Sequence, residues 1–198
     1  MEIAKGYKTS DYQSLDLTDP QSKDWNLAIQ ILQYRIELRY LEPIRLLIEH
    51  EKFLPARDQN FGFSITAIMC LLIETLYCFR NGIIDNSGRG NAKKAFVEFL
   101  TTTSSFDSIF TKKTASIFCD HFRNGILHQA ETKANSRIRA IGPAVREINN
   151  SISINRTTIF QLLEKEFNQY LAELSDPSNT LLRQHFKTKM DHVCSPKI

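Results

Sequence analysis

The chain has 198 residues, 42% hydrophobic and 24% charged, enough to enclose the core of one globular domain with a small appendage. Seven glycines and six prolines are too few for an all-β fold built on many tight turns, and they point to long helices instead. A formal charge of +3 is too small to mark a nucleic-acid binder by composition, so any such role must rest on where the charges lie.

Residues 1–23 are polar and turn-rich, and are expected to form an N-terminal arm or loosely packed lead-in. They lack a basic-then-apolar signal pattern, so a cytoplasmic location is expected. Asp24 is placed to cap a helix from Trp25 to about Phe53, with Leu27, Ile31, Tyr34, Leu38, Leu41 and Leu47 as its apolar stripe. Pro43 should kink or break that helix, because it lacks a backbone donor and clashes with the preceding turn. The run 61–79 approaches the length of a membrane span, but it contains Glu74 and has no second segment like it. A core helix over 62–80, apolar nearly all round and ending near Asn81-Gly82, accounts for it without a membrane.

A short helix from Ala92 to Leu100 follows, then a Thr/Ser-rich break, then a helix over 112–131. Residues 137–141 and 151–154 alternate polar with apolar and are expected to pair as an antiparallel hairpin across a connection containing Gly142-Pro143. Residues 156–174 read as a helix capped by Asn155 or Thr157, with Phe160, Leu163, Phe167 and Leu171 on one face. After Asp176-Pro177 an amphipathic segment, 180–193, leads into a mildly basic tail. The expected fold is therefore all-α, a helical bundle of five to six helices with one small β-hairpin after the fourth. Residues 24–175 form the helical domain, and 176–198 a C-terminal helical segment and tail.

Cys70, Cys78, Cys119 and Cys194 show no metal-ligand spacing, and the first three fall in apolar runs where a thiol acts as a small hydrophobe. A Gly-rich phosphate loop, a Ser–His–acid order and a zinc signature are all missing, so neither a metal nor another cofactor is expected.

The chemistry gathers at Arg123-Asn124-Gly125-Ile126-Leu127-His128. Phe118, Phe122 and Ile126 recur every fourth residue as a core stripe, and Asp120, His121, Asn124, His128 and Glu131 share the opposite face. An ideal helix sets Arg123 about 140° from His128, so a long side chain or a local distortion is needed to bring them together. Histidine can take or give a proton near neutral pH. Arginine offers a permanently charged fork of donors that suits phosphate oxygens. With Asn124 to position one of them, these are the parts needed for RNA to be cleaved by its own 2′-hydroxyl. The plain alternative is that Asn-Gly merely ends a helix. Arg80-Asn81-Gly82-Ile83 nearly repeats the motif, but there the fifth residue after the arginine is Asp85, in a turn-rich loop.

An arginine and a histidine with four residues between them, and asparagine after the arginine, on a late helix of a helical domain, resemble the signature of the HEPN superfamily. The helix order extends the resemblance over residues 24–175. It implies a helical bundle that dimerises with two Arg–His helices facing each other. It also implies a metal-independent ribonuclease acting as a toxin or phage-defence effector, with an antitoxin or defence-system protein as a further partner. By position, Arg123 and His128 become the catalytic pair and Asn124 the supporting residue. A member without catalytic activity, binding RNA or protein, is the competing expectation.

Glu74 needs a partner if buried, and either Arg123 or Arg80 can supply it. His121 and Glu131 either support the site or are solvated groups on the polar face. Lys133, Arg137, Arg139 and Arg146 make the hairpin region basic, which suits an RNA backbone or a charged edge that resists aggregation.

Overall fold

Residues 1–23 do not hang off the domain as an arm. Glu2–Ala4 (β1) pairs antiparallel with Tyr7–Lys8 (β2), and the chain turns at once into Thr9–Gln13 (α1). Ile3, Tyr12 and Leu17 are buried in the common core, so this stretch contributes apolar burial of its own. The computed structural model in which this is seen describes residues 1–55 and 58–195.

Asp24–Ile36 (α2) starts one residue earlier than expected, so Asp24 is not its cap: it lies in the first turn and accepts from the Asp16 N–H at 2.8 Å, and no side chain caps the helix. Pro43 neither stops nor breaks the helix. One widened, π-helical turn at Glu37–Leu41 carries the chain into Glu42–Glu51 (α3). Pro43 follows directly on that widened turn, in the first turn of α3.

Gly62–Asn81 (α4) follows the predicted core helix, burying Ile65, Met69, Leu72, Ile73 and Leu76. It ends because Gly82 takes a left-handed conformation, φ 64°, that lets its N–H return to the Cys78 carbonyl. Among the described residues it is the one helix long and apolar enough to cross a membrane, and 56% of its apolar window is buried within the protein. Asn91–Thr102 (α5) and Lys112–Phe118 (α6) come next, the latter capped by Thr111, whose Oγ1 accepts from the Thr114 N–H at 3.1 Å.

The predicted helix 112–131 forms without a break over 112–129, but with a widened turn inside it. A second π-helical turn, Cys119–Arg123, joins α6 to Asn124–Gln129 (α7), the Asn124 N–H reaching the carbonyl of Cys119, five residues back. The helix also stops two residues early, at Ala130, whose φ is 54°.

The expected fold needs a further correction: the chain is mostly helical, but its sheets exceed one hairpin. Arg137–Arg139 (β3), Val145–Ile148 (β4) and Ser151–Asn155 (β5) form a sheet of order β3-β5-β4. Residues 137–139 run parallel to β5, and the antiparallel partner is β4, within the stretch read as a connection. Asn149, at φ 55°, supplies the tight turn between β4 and β5. The chain then enters Arg156–Ser175 (α8), capped by Asn155, whose Oδ1 accepts from the N–H groups of Thr157 and Thr158 at 3.1 and 3.2 Å. Thr180–Cys194 (α9) completes the element order.

The helix α4 packs against α5, α8 and α9, with α2 lying on α8 and α6 on β5. All four cysteines are buried as free thiols. A buried ion pair between Glu51, at the end of α3, and Arg156, at the start of α8, joins two sides of this arrangement.

Candidate functional site

The local fold around the Arg–His segment begins with apolar anchors. Phe118 and Phe122 are fully buried, with ring centroids 5.2 Å apart, and hold both sides of the π-helical turn in the core. Arg123 is the last residue of that turn and emerges at the core margin. Its Nε donates to Glu74 Oε1 at 2.8 Å, with side chains 23% and 17% exposed. Its Nη1 donates to Asn124 Oδ1 at 3.0 Å. Asn124 thus positions the guanidinium. The other oxygen of Glu74 accepts from Asn86 Nδ2 at 3.3 Å, so the carboxylate is engaged on both sides. Arg80, the alternative partner for Glu74, instead pairs with Glu166 and Glu173 at 2.6 and 2.7 Å.

His128 lies exposed on α7 and has no hydrogen-bond partner among the described residues. No hydrogen bond joins it to Arg123, whose polar partners are Glu74 and Asn124. The guanidinium faces a cleft of about 530 Å³ that His128 does not line. Within one chain, then, the two residues share neither a hydrogen bond nor that cleft.

Gly125 is the buried residue between them, and its role is close approach. A Cβ there would collide with the carbonyl oxygen of Glu131, where the chain folds back after α7. Gly125→Ala is expected to lower stability by about 1–3 kcal/mol, read from urea unfolding, because a backbone atom cannot swing aside. Glu131 enters the site through this main-chain contact, and its side chain is exposed.

His121 is not a free surface group. Its Nδ1 lies 2.9 Å from Ser136 Oγ, which in turn accepts from the Ile152 N–H at 3.1 Å, so the imidazole ties the helix to β5. The Lys133 N–H donates to the His121 carbonyl at 3.1 Å, fixing the same loop. Burial lowers the imidazole's pKa below its ordinary value and Lys133 adds to this, against an opposing pull from Asp120. The folded state therefore favours neutral His121. Its contribution to stability is complete above about pH 6.5, the unfolded value, and is lost as pH falls through the lowered folded value. Urea midpoints measured from neutral to acid pH should fall more steeply for the wild type than for His121→Asn.

Arg137 and Arg146 flank Ser153 in register across the sheet, and Arg139 lies opposite Asn155. The arginines thus share a face, while Ile138, Val145, Ile152 and Ile154 line the other. Among the described residues none of these arginines has an ion-pair partner. Glu147, by contrast, is taken by Lys113. Among the described residues no group of three or more His, Cys, Asp or Glu side chains is placed to hold a metal ion.

Sequence reasoning missed the rest of the cleft that Arg123 lines. Arg35, Arg39, Tyr40 and Lys189 share it, brought from α2, the first π-helical turn and α9. The one available signal was that Arg35 and Arg39 stand four apart, a like-charged pair on one helix face. Compared with known proteins, the chain matches no family model, and no curated protein or solved structure is significantly similar to it.

Proposed function

We propose that the protein is a metal-independent endoribonuclease of the HEPN type, a cytoplasmic helical bundle that acts as a homodimer in a toxin or phage-defence system. The observation that carries the reading is the contrast within one motif. Arg123 is held rigidly by Glu74 and Asn124, while His128, five residues on, is exposed and unengaged among the described residues. A fixed cation and a free imidazole suit a reaction in which one group stabilises charge and the other moves a proton.

In that reaction His128 takes the proton of the 2′-hydroxyl, and O2′ attacks the adjacent phosphorus. The P–O5′ bond breaks, leaving a 2′,3′-cyclic phosphate. A second His128, from the other copy, returns a proton to O5′. Arg123 stabilises the charge that builds on the phosphoryl oxygens. A second copy enters the reading because the general acid and the general base are both assigned to His128, of which each chain has one. Leu127, 39% exposed beside His128, offers apolar surface for that pairing. Lys133, Arg137, Arg139 and Arg146 hold the RNA backbone, with an affinity that falls as salt rises.

The test is to incubate single-stranded RNA with pure protein in EDTA. Cleavage is expected, and it should be lost in both Arg123→Ala and His128→Ala. No cleavage, or cleavage that survives both changes, contradicts the reading. That Arg123 and His128 share neither a hydrogen bond nor a cleft favours a second reading, a non-catalytic module that binds RNA or a partner protein. RNA binding without cleavage, unaffected by His128→Ala, would establish it.

A further inference from the structure

We propose that the cleft beside Glu74–Arg123 is a binding site for a phosphate-bearing small molecule of nucleotide size. The charges around this cleft are unevenly paired. Arg35 Nη1 and Arg39 Nη2 both donate to the Ile3 carbonyl, at 2.8 and 3.2 Å, and Lys189 Nζ donates to the Ile84 carbonyl at 2.8 Å. Among the described residues, none of these three cations has a carboxylate partner. The acids lining the cleft hold other hydrogen bonds, although the charge of Asp85 is felt by Lys189. Glu2 accepts from the Gly6 N–H at 3.2 Å, and Asp85 accepts from the N–H and hydroxyl of Ser87 at 2.8 and 2.9 Å. Glu74 is held by Arg123 and Asn86.

Two guanidinium groups that share one carbonyl repel each other, and the partial burial of Arg35 strengthens that repulsion. Burial and the neighbouring Arg39 both push the Arg35 pKa below its ordinary value. An anion removes the conflict. Two planar forks and an ammonium lining one cleft match a ligand with several charged oxygens. A single carboxylate, with two oxygens, matches them less well. The cleft's volume of about 530 Å³ is that of a small-molecule site, and Tyr40, Leu71 and Phe79 give it a part-apolar wall for a ring. The phosphate could come from a free nucleotide or from an RNA strand, and the cleft's size favours the former.

Isothermal titration calorimetry on the full-length protein tests this, with pyrophosphate, AMP and a short RNA oligonucleotide as separate probes. Pyrophosphate and AMP should each bind one site per chain, and Lys189→Glu should weaken both at least about tenfold. Lys165→Glu, an exposed lysine outside the cleft, should leave them unchanged. Arg39→Ala should also weaken binding. Because that change can loosen β1 through Ile3, Lys189→Glu is the deciding variant, with circular dichroism verifying its fold. No binding of pyrophosphate or AMP, equal affinity in Lys189→Glu, or binding of the oligonucleotide alone would overturn the proposal. Binding is scored without cleavage, so the outcome is independent of the ribonuclease reading.

Discussion

Replacing Glu51 by alanine is expected to destabilise the protein by about 3–5 kcal/mol, the cost of stranding a buried charge. Glu51 is 1% exposed and Arg156 4%, so neither charge is shielded by water. One oxygen of Glu51 faces Arg156 Nη2, and the other accepts from the N–H of Phe61, just ahead of α4. The carboxylate therefore joins the end of α3, the start of α4 and the start of α8. With it gone, the guanidinium keeps only the Gln59 side chain, at 3.5 Å, among the described residues. Glu51→Gln should fall between, since an amide oxygen still accepts from Phe61 but brings no charge. Replacing both partners by apolar residues of similar volume should recover most of the loss. Urea unfolding at neutral pH checks the series. A loss of less than about 1 kcal/mol for Glu51→Ala would mean the pair behaves like an exposed surface bridge.

His128→Ala and Arg123→Ala are expected to abolish most RNA cleavage but to differ in their effect on the fold. His128 is exposed and unpartnered among the described residues, so its loss should move stability by no more than about 0.5 kcal/mol. Cleavage should drop about 100- to 10,000-fold, the range for removing a general acid or base. Arg123→Ala should lower cleavage about 100- to 1,000-fold. It also leaves Glu74 half-buried without its cation, which should cost about 1–3 kcal/mol. Arg123→Lys should restore little activity, because a single ammonium cannot reproduce the fork that reaches Glu74 and Asn124 together. Single-turnover cleavage and thermal melts on the same preparations separate the two effects. Activity lost only in proportion to lost folding would show that these residues have no chemical role.

The helices were legible where one physical signal dominated. The span of α4 followed from an apolar run closed by Asn81-Gly82, and the start of α8 from the capping of Asn155. The reach of Arg123 to Glu74 was one of two pairings open to a carboxylate among apolar neighbours, and Arg80 is engaged elsewhere. The π-helical turns were not legible, because a one-residue widening of the hydrogen-bond ladder leaves no composition mark. Nor was the order of the sheet. Val145-Arg146-Glu147-Ile148 carries two charges in four residues and reads as a connection until β5 is seen between β3 and β4. The packing of residues 1–23 rests on a few apolar side chains in a polar stretch, Ile3, Tyr12 and Leu17, too sparse for a periodic signal. The cleft of Arg35, Arg39 and Lys189 depends on bringing together distant segments, which no local pattern encodes.

The chemistry of the cleaved ends tests the central claim most directly. A defined single-stranded RNA, incubated with the pure protein in EDTA and analysed by mass spectrometry, should yield 2′,3′-cyclic phosphate and 5′-hydroxyl ends. The same strand with a 2′-deoxy nucleotide at the cleavage position should stay intact there, since the attacking oxygen has been removed. Ends bearing 3′-hydroxyl and 5′-phosphate, or cutting at the 2′-deoxy position, would contradict the claim that Arg123 and His128 drive attack by the RNA's own hydroxyl.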